Sequence, residues 1–193
     1  MFKDLMLKNR SYRRFYEDVE IQRDTLLELV ELARISPSAA NRQPLKFYLS
    51  AGEKNREIFD CLSWAGALQN WTGPEEGERP TGYIVVLLDR DITPKADNDA
   101  GIVCQSMLLG AVEKGLGGCM FGAVDRVKLK EALALPENLD ILLVVAIGKP
   151  KEEIVLKPIG KDGNFNYWRD EKQTHYVPKR SLDELVINGG DSK

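Results

Sequence analysis

Residues 97–122 read DNDAGIVCQSMLLGAVEKGLGGCMFG and give the clearest structural pattern in the chain. Apolar residues lie on almost every side of the first part, which predicts a long helix buried at the centre of the fold. Asp97 or Asp99 is a suitable N-cap for this helix, and Gly115 is a suitable stop at its other end. Residues 117–122 then predict a strand, so the buried helix leads directly into a sheet.

Other runs predict the remaining strands and helices. Continuous apolar runs predict buried strands at residues 83–88 and 140–148, and the shorter LKFYLS predicts a strand at 45–50. Helical spacing predicts helices over residues 2–8, 25–35 and 53–68, and another that starts at Asp125 and is closed by Pro136. Thr25 and Glu28 have the spacing of a capping box. Strands between long helices are typical of an α+β or α/β domain.

Composition limits the classes of function. The chain has 193 residues with a formal net charge of -3. This length is typical of a single domain, which we expect to span residues 1–193. The acidic balance argues against a nucleic-acid partner, because such proteins usually carry a basic excess. No run of about 18 apolar residues and no cleavable leader is visible, so we expect a cytoplasmic protein with no membrane partner.

Cysteine and histidine are scarce, which limits the metal sites and catalytic mechanisms that the chain can support. The three cysteines, Cys61, Cys104 and Cys119, are widely spaced, and His175 is the single histidine. We therefore expect no metal site, and we interpret His175 as a structural hydrogen-bonding residue. If the protein is an enzyme, a bound cofactor would supply its chemistry. The glycines in GLGG follow a helix and lack the third position of a dinucleotide fingerprint, so they do not indicate one.

The stretch NRSYRRF at residues 9–15 concentrates three arginines in an acidic chain. In an extended conformation Ser11 and Arg13 share one face, which would suit a bound phosphate. The alternative is a solvated charged turn, and the residues alone leave both open. Near the other end of the chain, Lys179 and Arg180 would either complete a cationic pocket or lie on the surface at a helix start.

The loop SPSAANRQP at residues 36–44 contains donors and acceptors on a backbone stiffened by two prolines. Ser38, Asn41 and Gln43 would suit hydrogen bonding to a polar ring edge or a polyol chain. The alternative is an ordinary loop bounded by proline. A second loop, at residues 71–82, is rich in Gly, Pro and Glu and predicts a mobile surface segment. The mostly polar segment 150–193 has no periodic core pattern, so it is either disordered or lies across another surface. Its aromatic residues favour the second alternative, and we expect an arm that crosses to a partner subunit; they are Phe165, Tyr167, Trp168 and Tyr176.

Five segments together resemble the nitroreductase family of flavin-dependent oxidoreductases, and they occur in the family's order along nearly the whole chain. They are NRSYRRF, SPSAANRQPLKF, DNDAGIVCQSMLLGAVEKGLGGCMFG, DILLVVAIGKP and VPKRSLDELV. The resemblance implies an α+β fold with a central, mostly antiparallel sheet flanked by helices, assembled as an intertwined homodimer. It also implies FMN bound at the dimer interface, with NADH or NADPH as electron donor.

The resemblance assigns cofactor-binding roles to residues along the chain. Those implied at the phosphate and ribityl end are Arg10, Ser11, Arg13, Lys179 and Arg180. Those implied to come from the partner subunit toward the ring and ribityl chain are Ser38, Ala39 and Asn41, with Gln43 adjacent to them. Those whose backbone is implied to approach flavin N5 are Met120, Gly122 and Ala123. No catalytic side chain and no metal ligand is implied, because the flavin would hold the electrons.

The function implied by the resemblance is hydride transfer from NAD(P)H through flavin N5 to a small-molecule acceptor, such as a nitroaromatic or a quinone, in a ping-pong cycle. Two alternatives stay open from the sequence. One is another chemistry on the same fold, such as reductive dehalogenation or flavin fragmentation. The other is a non-catalytic flavin- or nucleotide-binding redox sensor, which NAD(P)H would not reduce.

Overall fold

A computed structural model gives the structure of the protein and describes residues 1–68, 71–96 and 98–187. The chain divides into two compact units, one formed by residues 1–64 with 72–151 and the other by residues 65–71 with 152–193.

The first unit is a helix-flanked sheet. Its helices are α1 (Phe2–Lys8), α2 (Arg23–Arg34), α3 (Asn55–Phe59), α4 (Asp99–Glu113) and α5 (Arg126–Ala132). Its strands are β1 (Phe15–Tyr16), β2 (Leu45–Ser50), β3 (Gly82–Asp89), β4 (Gly117–Phe121) and β5 (Leu139–Pro150). The strand order is β1-β5-β3-β2 with β4 also paired to β5, and every one of these pairings is antiparallel. The predicted antiparallel sheet with flanking helices is therefore confirmed.

The hydrophobic core lies between this sheet and helices α2 and α4. Successive side chains of β3 point to opposite faces, so Ile84 and Val86 share the face that packs in one buried cluster with Leu29 of α2 and Met107 of α4. The other residues of β3 up to Leu88 are also buried, which explains why its sequence is continuously apolar rather than alternating.

Helix α4 has the predicted buried character, with a different start. Asn98, not Asp99, is its N-cap, and Asp97 lies outside the described residues. Gly115 follows the helix with a φ of 71°, a conformation that favours glycine, so the predicted stop is confirmed. At Gly110 a Cβ atom would overlap the side chain of Leu32, so the absence of a side chain there allows α2 and α4 to approach closely.

Two helix predictions differ from the structure. Helix α2 starts at Arg23 with Gln22 as N-cap and no side-chain cap, so the capping box predicted at Thr25 and Glu28 does not form. The helix predicted over 53–68 ends at Phe59. Beyond it Leu62 forms a β-bridge with Val124, and Trp64 packs edge-on against Phe121. These tertiary contacts hold the chain in an extended path that helical spacing does not reveal.

The loop between Trp64 and β3 is partly integrated into the first unit. Gly73 and Pro74 are buried, and the ring of Trp64 lies against Gly73. Glu17 accepts hydrogen bonds from the backbone N–H groups of Gly77 and Arg79. The sequence predicts only a surface loop here, because its Gly, Pro and Glu content gives no sign of these contacts.

The second unit contains β6 (Ile154–Pro158), β7 (Trp168–Arg169), β8 (His175–Lys179) and α6 (Leu182–Leu185). Strand β8 is central, parallel to β6 and antiparallel to β7. The side chains of Glu152 and His175 are fully buried, and that of Arg169 is 7% exposed. This unit lacks a visible core pattern in the sequence because polar residues occupy its interior.

Candidate cofactor site

The arginine-rich segment after α1 lies beside the start of β4. Ser11 forms a parallel bridge with Gly118, and the backbone N–H of Tyr12 donates a 3.0 Å hydrogen bond to Gly118 O. Two sequence motifs more than 100 residues apart are therefore neighbours. Ser11 is exposed, while Arg10 and Arg13 are half-buried.

The three arginines of this segment have different partners. Arg10 donates to the carbonyl groups of Asn9 and Met6 at the end of α1, where a cation is favourable for the helix dipole. Arg13 donates to the carbonyl of Ser11 at 3.2 Å. The guanidinium groups of Arg10 and Arg13 thus lie close to the backbone that carries the predicted phosphate contacts.

Arg14 pairs with a carboxylate, and the sequence alone does not reveal this pairing. Its guanidinium donates two 2.5 Å hydrogen bonds to the carboxylate of Glu78, and Lys151 Nζ lies 2.9 Å from the same carboxylate. The hydrogen bonds from Arg14, more than the contact with Lys151, lower the pKa of Glu78 to about 2. Arg14 therefore fixes the 72–81 loop to this segment.

The end of β4 carries the next group of predicted residues. Met120, Gly122 and Ala123 are exposed, and the Met120 side chain is on the strand whose start pairs with Ser11. Ala123 O accepts a 3.0 Å hydrogen bond from the backbone of Ser63. None of the described residues accepts a hydrogen bond from the backbone N–H of Gly122 or Ala123.

Arg126, the first residue of α5, holds this turn in place and was not identified from the sequence. Its guanidinium donates to Gly122 O at 3.0 Å and to Val124 O at 3.5 Å. It also donates to Ile141 O at 2.9 Å and to Leu142 O at 3.1 Å on the adjacent strand. The carbonyl groups of the turn are therefore directed toward protein donors, whereas the N–H groups of Gly122 and Ala123 donate to no described residue. The only sequence signal is an arginine next to the helix-capping Asp125.

The 36–44 loop is fixed to α4 by Asp99, which is only 3% exposed. Ser38 Oγ donates to Asp99 Oδ2 at 2.6 Å, and the backbone N–H of Ala39 donates to Oδ1 at 3.0 Å. Ser38 Oγ also accepts a 3.0 Å hydrogen bond from the backbone of Gln43. The sequence predicts Asp99 as a possible helix cap, whereas in the structure its carboxylate anchors this loop.

The same loop has an unusual backbone. Ala40, Asn41 and Gln43 all have φ near +50°, which costs about 1 kcal/mol or more for each residue with a side chain. The side chain of Gln43 donates to the Oδ1 atom of Asn41 at 3.1 Å. Strained backbone held by surrounding contacts is typical of binding loops. Ala39, Asn41 and Gln43 are exposed, and Ser38 is half-buried.

The basic residues predicted near the C-terminus lie in the second unit. Lys179 ends β8 and is exposed, and Arg180 donates a 3.1 Å hydrogen bond to Glu184 in the capping box that starts α6. In the same unit, no described residue hydrogen-bonds either ring nitrogen of His175. Its Nδ1 lies 3.6 Å from Glu152 Oε2, which accepts a 2.9 Å hydrogen bond from Arg169. The ring of His175 is therefore not the hydrogen-bonding group that we expected.

Comparison with known proteins identifies the family. A sequence model described as Nitroreductase family matches residues 6–79 and 81–149. The chain belongs to the nitroreductase family. This membership includes the segments 9–15 and 97–122 on which the resemblance rested, and it supports a general oxidoreductase function.

Three known proteins illustrate what this chain is similar to. An Archaeoglobus fulgidus protein named NADH dehydrogenase/NAD(P)H nitroreductase is 28% identical over 156 residues, covering 77% of this chain and 85% of the relative. The crystal structure of a nitroreductase family protein from Streptococcus pneumoniae has a TM-score of 0.71 at 18% identity, covering 97% of this chain and 100% of that one. The NADPH:FMN oxidoreductase of Vibrio harveyi, complexed with NAD+, has a TM-score of 0.68 at 20% identity, covering 99% of this chain and 78% of that one.

The described residues contain neither a metal-binding cluster nor a membrane-spanning helix. Across residues 1–68, 71–96 and 98–187, no group of three or more His, Cys, Asp or Glu side chains is arranged to hold a metal ion. Over the same ranges, no helix has the length and apolar character needed to cross a membrane.

Proposed function

We propose that this protein is an FMN-dependent oxidoreductase that uses NADH or NADPH to reduce a small acceptor such as a nitroaromatic or a quinone. The observation that carries the proposal is the turn at the end of β4. There Gly122 and Ala123 are exposed residues whose N–H groups donate to no described residue, while Arg126 holds two carbonyl groups of the turn. Such fixed donors favour an electron-rich acceptor atom of a bound cofactor.

The residues near this turn fit the chemistry of FMN. A phosphate needs cationic and hydroxyl donors, which Arg10, Arg13 and the exposed Ser11 supply. The reducible edge of a flavin needs donors to nitrogen and oxygen atoms, which the backbone of Gly122 and Ala123 supplies. When bound, FMN would accept a hydride from a nicotinamide nucleotide and pass its electrons to the acceptor.

The protein groups would orient the cofactor and stabilise negative charge. Arg126 keeps the donors of the 122–124 turn in one position, so little reorganisation is needed as charge develops nearby. Arg14 and Glu78 hold the backbone that carries Ser11 and Arg13, because they join it to the 72–81 loop. No side chain is assigned as an acid or base.

We further propose a homodimer in which the 36–44 loop completes the partner's cofactor site. Asp99 anchors this loop at the first residue of α4, while the Ser11–Gly118 pair follows the other end of α4. The ends of a 15-residue helix are about 21 Å apart. A loop contributed by a second protomer would supply donors at the site without spanning that length. Three expectations from the sequence stay predictions. They are a single domain over residues 1–193, a C-terminal arm over residues 150–193 that carries Lys179 and Arg180, and a cytoplasmic location.

The names of two similar proteins support the proposed use of FMN and of a nicotinamide nucleotide. The Archaeoglobus fulgidus relative is named for NADH and NAD(P)H, and the Vibrio harveyi structure is an NADPH:FMN oxidoreductase with NAD+ bound. We extend both properties to this chain as proposals.

The test is an absorption spectrum of the purified protein, with FMN added if none co-purifies, followed by anaerobic titration with NADH and with NADPH. We expect a bound flavin that either nucleotide bleaches and that a nitroaromatic or quinone reoxidises. Protein that retains no FMN would contradict the proposal. Bound flavin that neither nucleotide bleaches would instead support a redox sensor, and turnover only with halogenated substrates would support dehalogenation. Sedimentation tests the homodimer.

A further inference from the structure

The middle of the 36–44 loop is tied to the rest of the protein by one side chain. Among the described residues, every hydrogen bond that leaves residues 38–43 goes to the carboxylate of Asp99. Its Oδ2 atom accepts from Ser38 Oγ at 2.6 Å, and its Oδ1 atom accepts from the backbone N–H of Ala39 at 3.0 Å. Ser38 Oγ in turn accepts a 3.0 Å hydrogen bond from the backbone N–H of Gln43. Asp99 therefore fixes Ser38, and Ser38 transmits that constraint to the end of the loop.

The loop needs such an anchor because its backbone is strained. Ala40, Asn41 and Gln43 have φ values of 51°, 52° and 50°, which residues with a side chain rarely adopt. Strained conformations persist only where surrounding contacts hold them in place. The two hydrogen bonds to the Asp99 carboxylate are charge-assisted and hence roughly twice as strong as neutral ones. Without them, residues 38–43 would relax to other conformations.

The constraint acts in both directions, because Asp99 is a buried charge. Its side chain is 3% exposed, and the described residues that bond to its carboxylate are Ser38 and Ala39. Its place at the start of α4 favours a negative charge, but opening of the loop would leave both buried oxygen atoms without these donors, which is costly. Asp99 therefore favours the closed loop. An amide at this position would accept hydrogen bonds at only one of its two terminal atoms.

The shape of the loop determines which polar groups it presents. Asn41 and Gln43 are exposed, and Gln43 Nε2 donates to Asn41 Oδ1 at 3.1 Å and to Asn41 O at 3.2 Å. The Nδ2 group of Asn41 and the Oε1 atom of Gln43 form no hydrogen bond with any residue that the structure describes. The closed loop thus presents a donor and an acceptor on two linked amides, which suits the polar ring edge and the hydroxyl groups of a flavin.

We propose that Asp99 is a positioning residue that acts across the dimer, because through Ser38 it holds the 36–44 loop in the shape that contacts the flavin bound by the partner protomer. This proposal rests on the proposed function, in which the loop completes the partner's site. The phosphate end of that site is proposed to lie at Arg13, so Asp99 affects binding of the ring and ribityl chain but not of the phosphate. Loss of the Asp99 charge should therefore weaken the binding of riboflavin, which lacks the phosphate, as much as that of FMN.

Flavin fluorescence titration of the purified protein, after removal of any bound flavin, measures this effect. Asp99→Asn should weaken the binding of FMN and of riboflavin by the same factor, about tenfold. Arg13→Gln should weaken the binding of FMN only. Asp24→Asn is the matched control, because Asp24 lies in the first turn of α2, is exposed, and accepts no side-chain hydrogen bond from a described residue. This control variant should bind both flavins as the parent does.

A mixed dimer tests whether Asp99 acts on the partner's site. An Asp99→Asn protomer paired with an Arg13→Gln protomer, each with its own purification tag, should have one site of parental affinity and one site with both changes. If Asp99 acted within its own protomer, each site would carry one change and neither would have parental affinity. Ser38→Ala removes the same link from the loop side and takes the place of Asp99→Asn if that variant does not fold.

Hydrogen exchange in the flavin-free protein reports on the loop independently of the cofactor. The backbone amides of Ala39 and Gln43 should exchange about tenfold faster in Asp99→Asn than in the parent. The proposal is overturned if this loosening leaves the affinity for both flavins unchanged, if only FMN binding weakens, or if the mixed dimer has no site of parental affinity. A parent protein that binds no flavin overturns the proposed function as well, whereas a parent that binds FMN no better than Asp99→Asn does overturns this proposal alone.

Discussion

The guanidinium of Arg126 donates a 3.0 Å hydrogen bond to the carbonyl of Gly122, and by this contact it orients the turn at the end of β4. Arg126→Met would remove this bond together with those to Ile141 and Leu142. We expect a loss of about 2 kcal/mol in the free energy of unfolding and a roughly tenfold weaker affinity for FMN. Flavin fluorescence titration and urea unfolding measure the two effects.

The matched control for that change is Lys128→Met on the same helix. Lys128 is exposed and donates one 3.3 Å hydrogen bond, to Asp60 O, so its replacement should leave FMN affinity nearly unchanged. Equal FMN affinity in the Arg126→Met variant and the parent would show that the turn does not need Arg126.

The Arg14–Glu78 pair should make stability depend on acid pH. Glu78 is 15% exposed and its pKa is lowered from 4.5 to about 2, chiefly by the hydrogen bonds from Arg14. A lowered carboxyl pKa contributes stability that is fully present above pH 4.5 and is lost as pH falls toward 2. Glu78→Gln should therefore cost about 2 kcal/mol at pH 7 and much less near pH 2. Urea unfolding across this range measures the difference, with exposed Glu75→Gln as control. A deficit that did not shrink with acid would contradict the assignment.

Gly110 should be intolerant of a side chain even though it lies within a helix. Alanine is normally the better helix residue by about 1 kcal/mol. At Gly110, however, the new Cβ would overlap Leu32, so Gly110→Ala should destabilise the protein by about 1–3 kcal/mol. Gly101 lies on the same helix with open space around it, so Gly101→Ala should be neutral or stabilising. Thermal unfolding of both variants tests the close approach of α2 and α4, and a harmless Gly110→Ala would disprove it.

The buried polar residues of the second unit should respond unequally to mutation. Glu152→Gln removes the carboxylate that faces the 7%-exposed Arg169 and should cost about 3 kcal/mol. His175→Phe keeps an aromatic ring, larger than imidazole, and removes two nitrogens that no described residue hydrogen-bonds, so it should cost only about 1 kcal/mol. Hydrogen exchange of the amides of β8 reports on this unit directly. A larger loss for His175→Phe than for Glu152→Gln would reverse the proposed importance of these groups.

Much of the fold is predictable because the signals are local. The buried helix α4, its stop at Gly115 and the apolar strands β3 and β5 follow from hydrophobic pattern and turn chemistry within a few residues. The helix predicted over residues 53–68 is wrong beyond Phe59, because contacts with distant residues decide the path of this segment. Its later residues form contacts with β4 and the turn after it, and tertiary packing overrides helical spacing.

The candidate site likewise has parts that the sequence predicts and parts that only the folded structure reveals. The sequence by itself determined the family, the antiparallel fold and the segments that carry the predicted cofactor residues, because these are encoded as ordered patterns along the chain. Only the tertiary structure decided that Arg14 binds Glu78, that Asp99 anchors Ser38 from 61 residues away, and that Arg126 orients the β4 turn. Hydrogen bonds between distant residues depend on where the folded backbone places each donor and acceptor, and residue type alone does not contain that information.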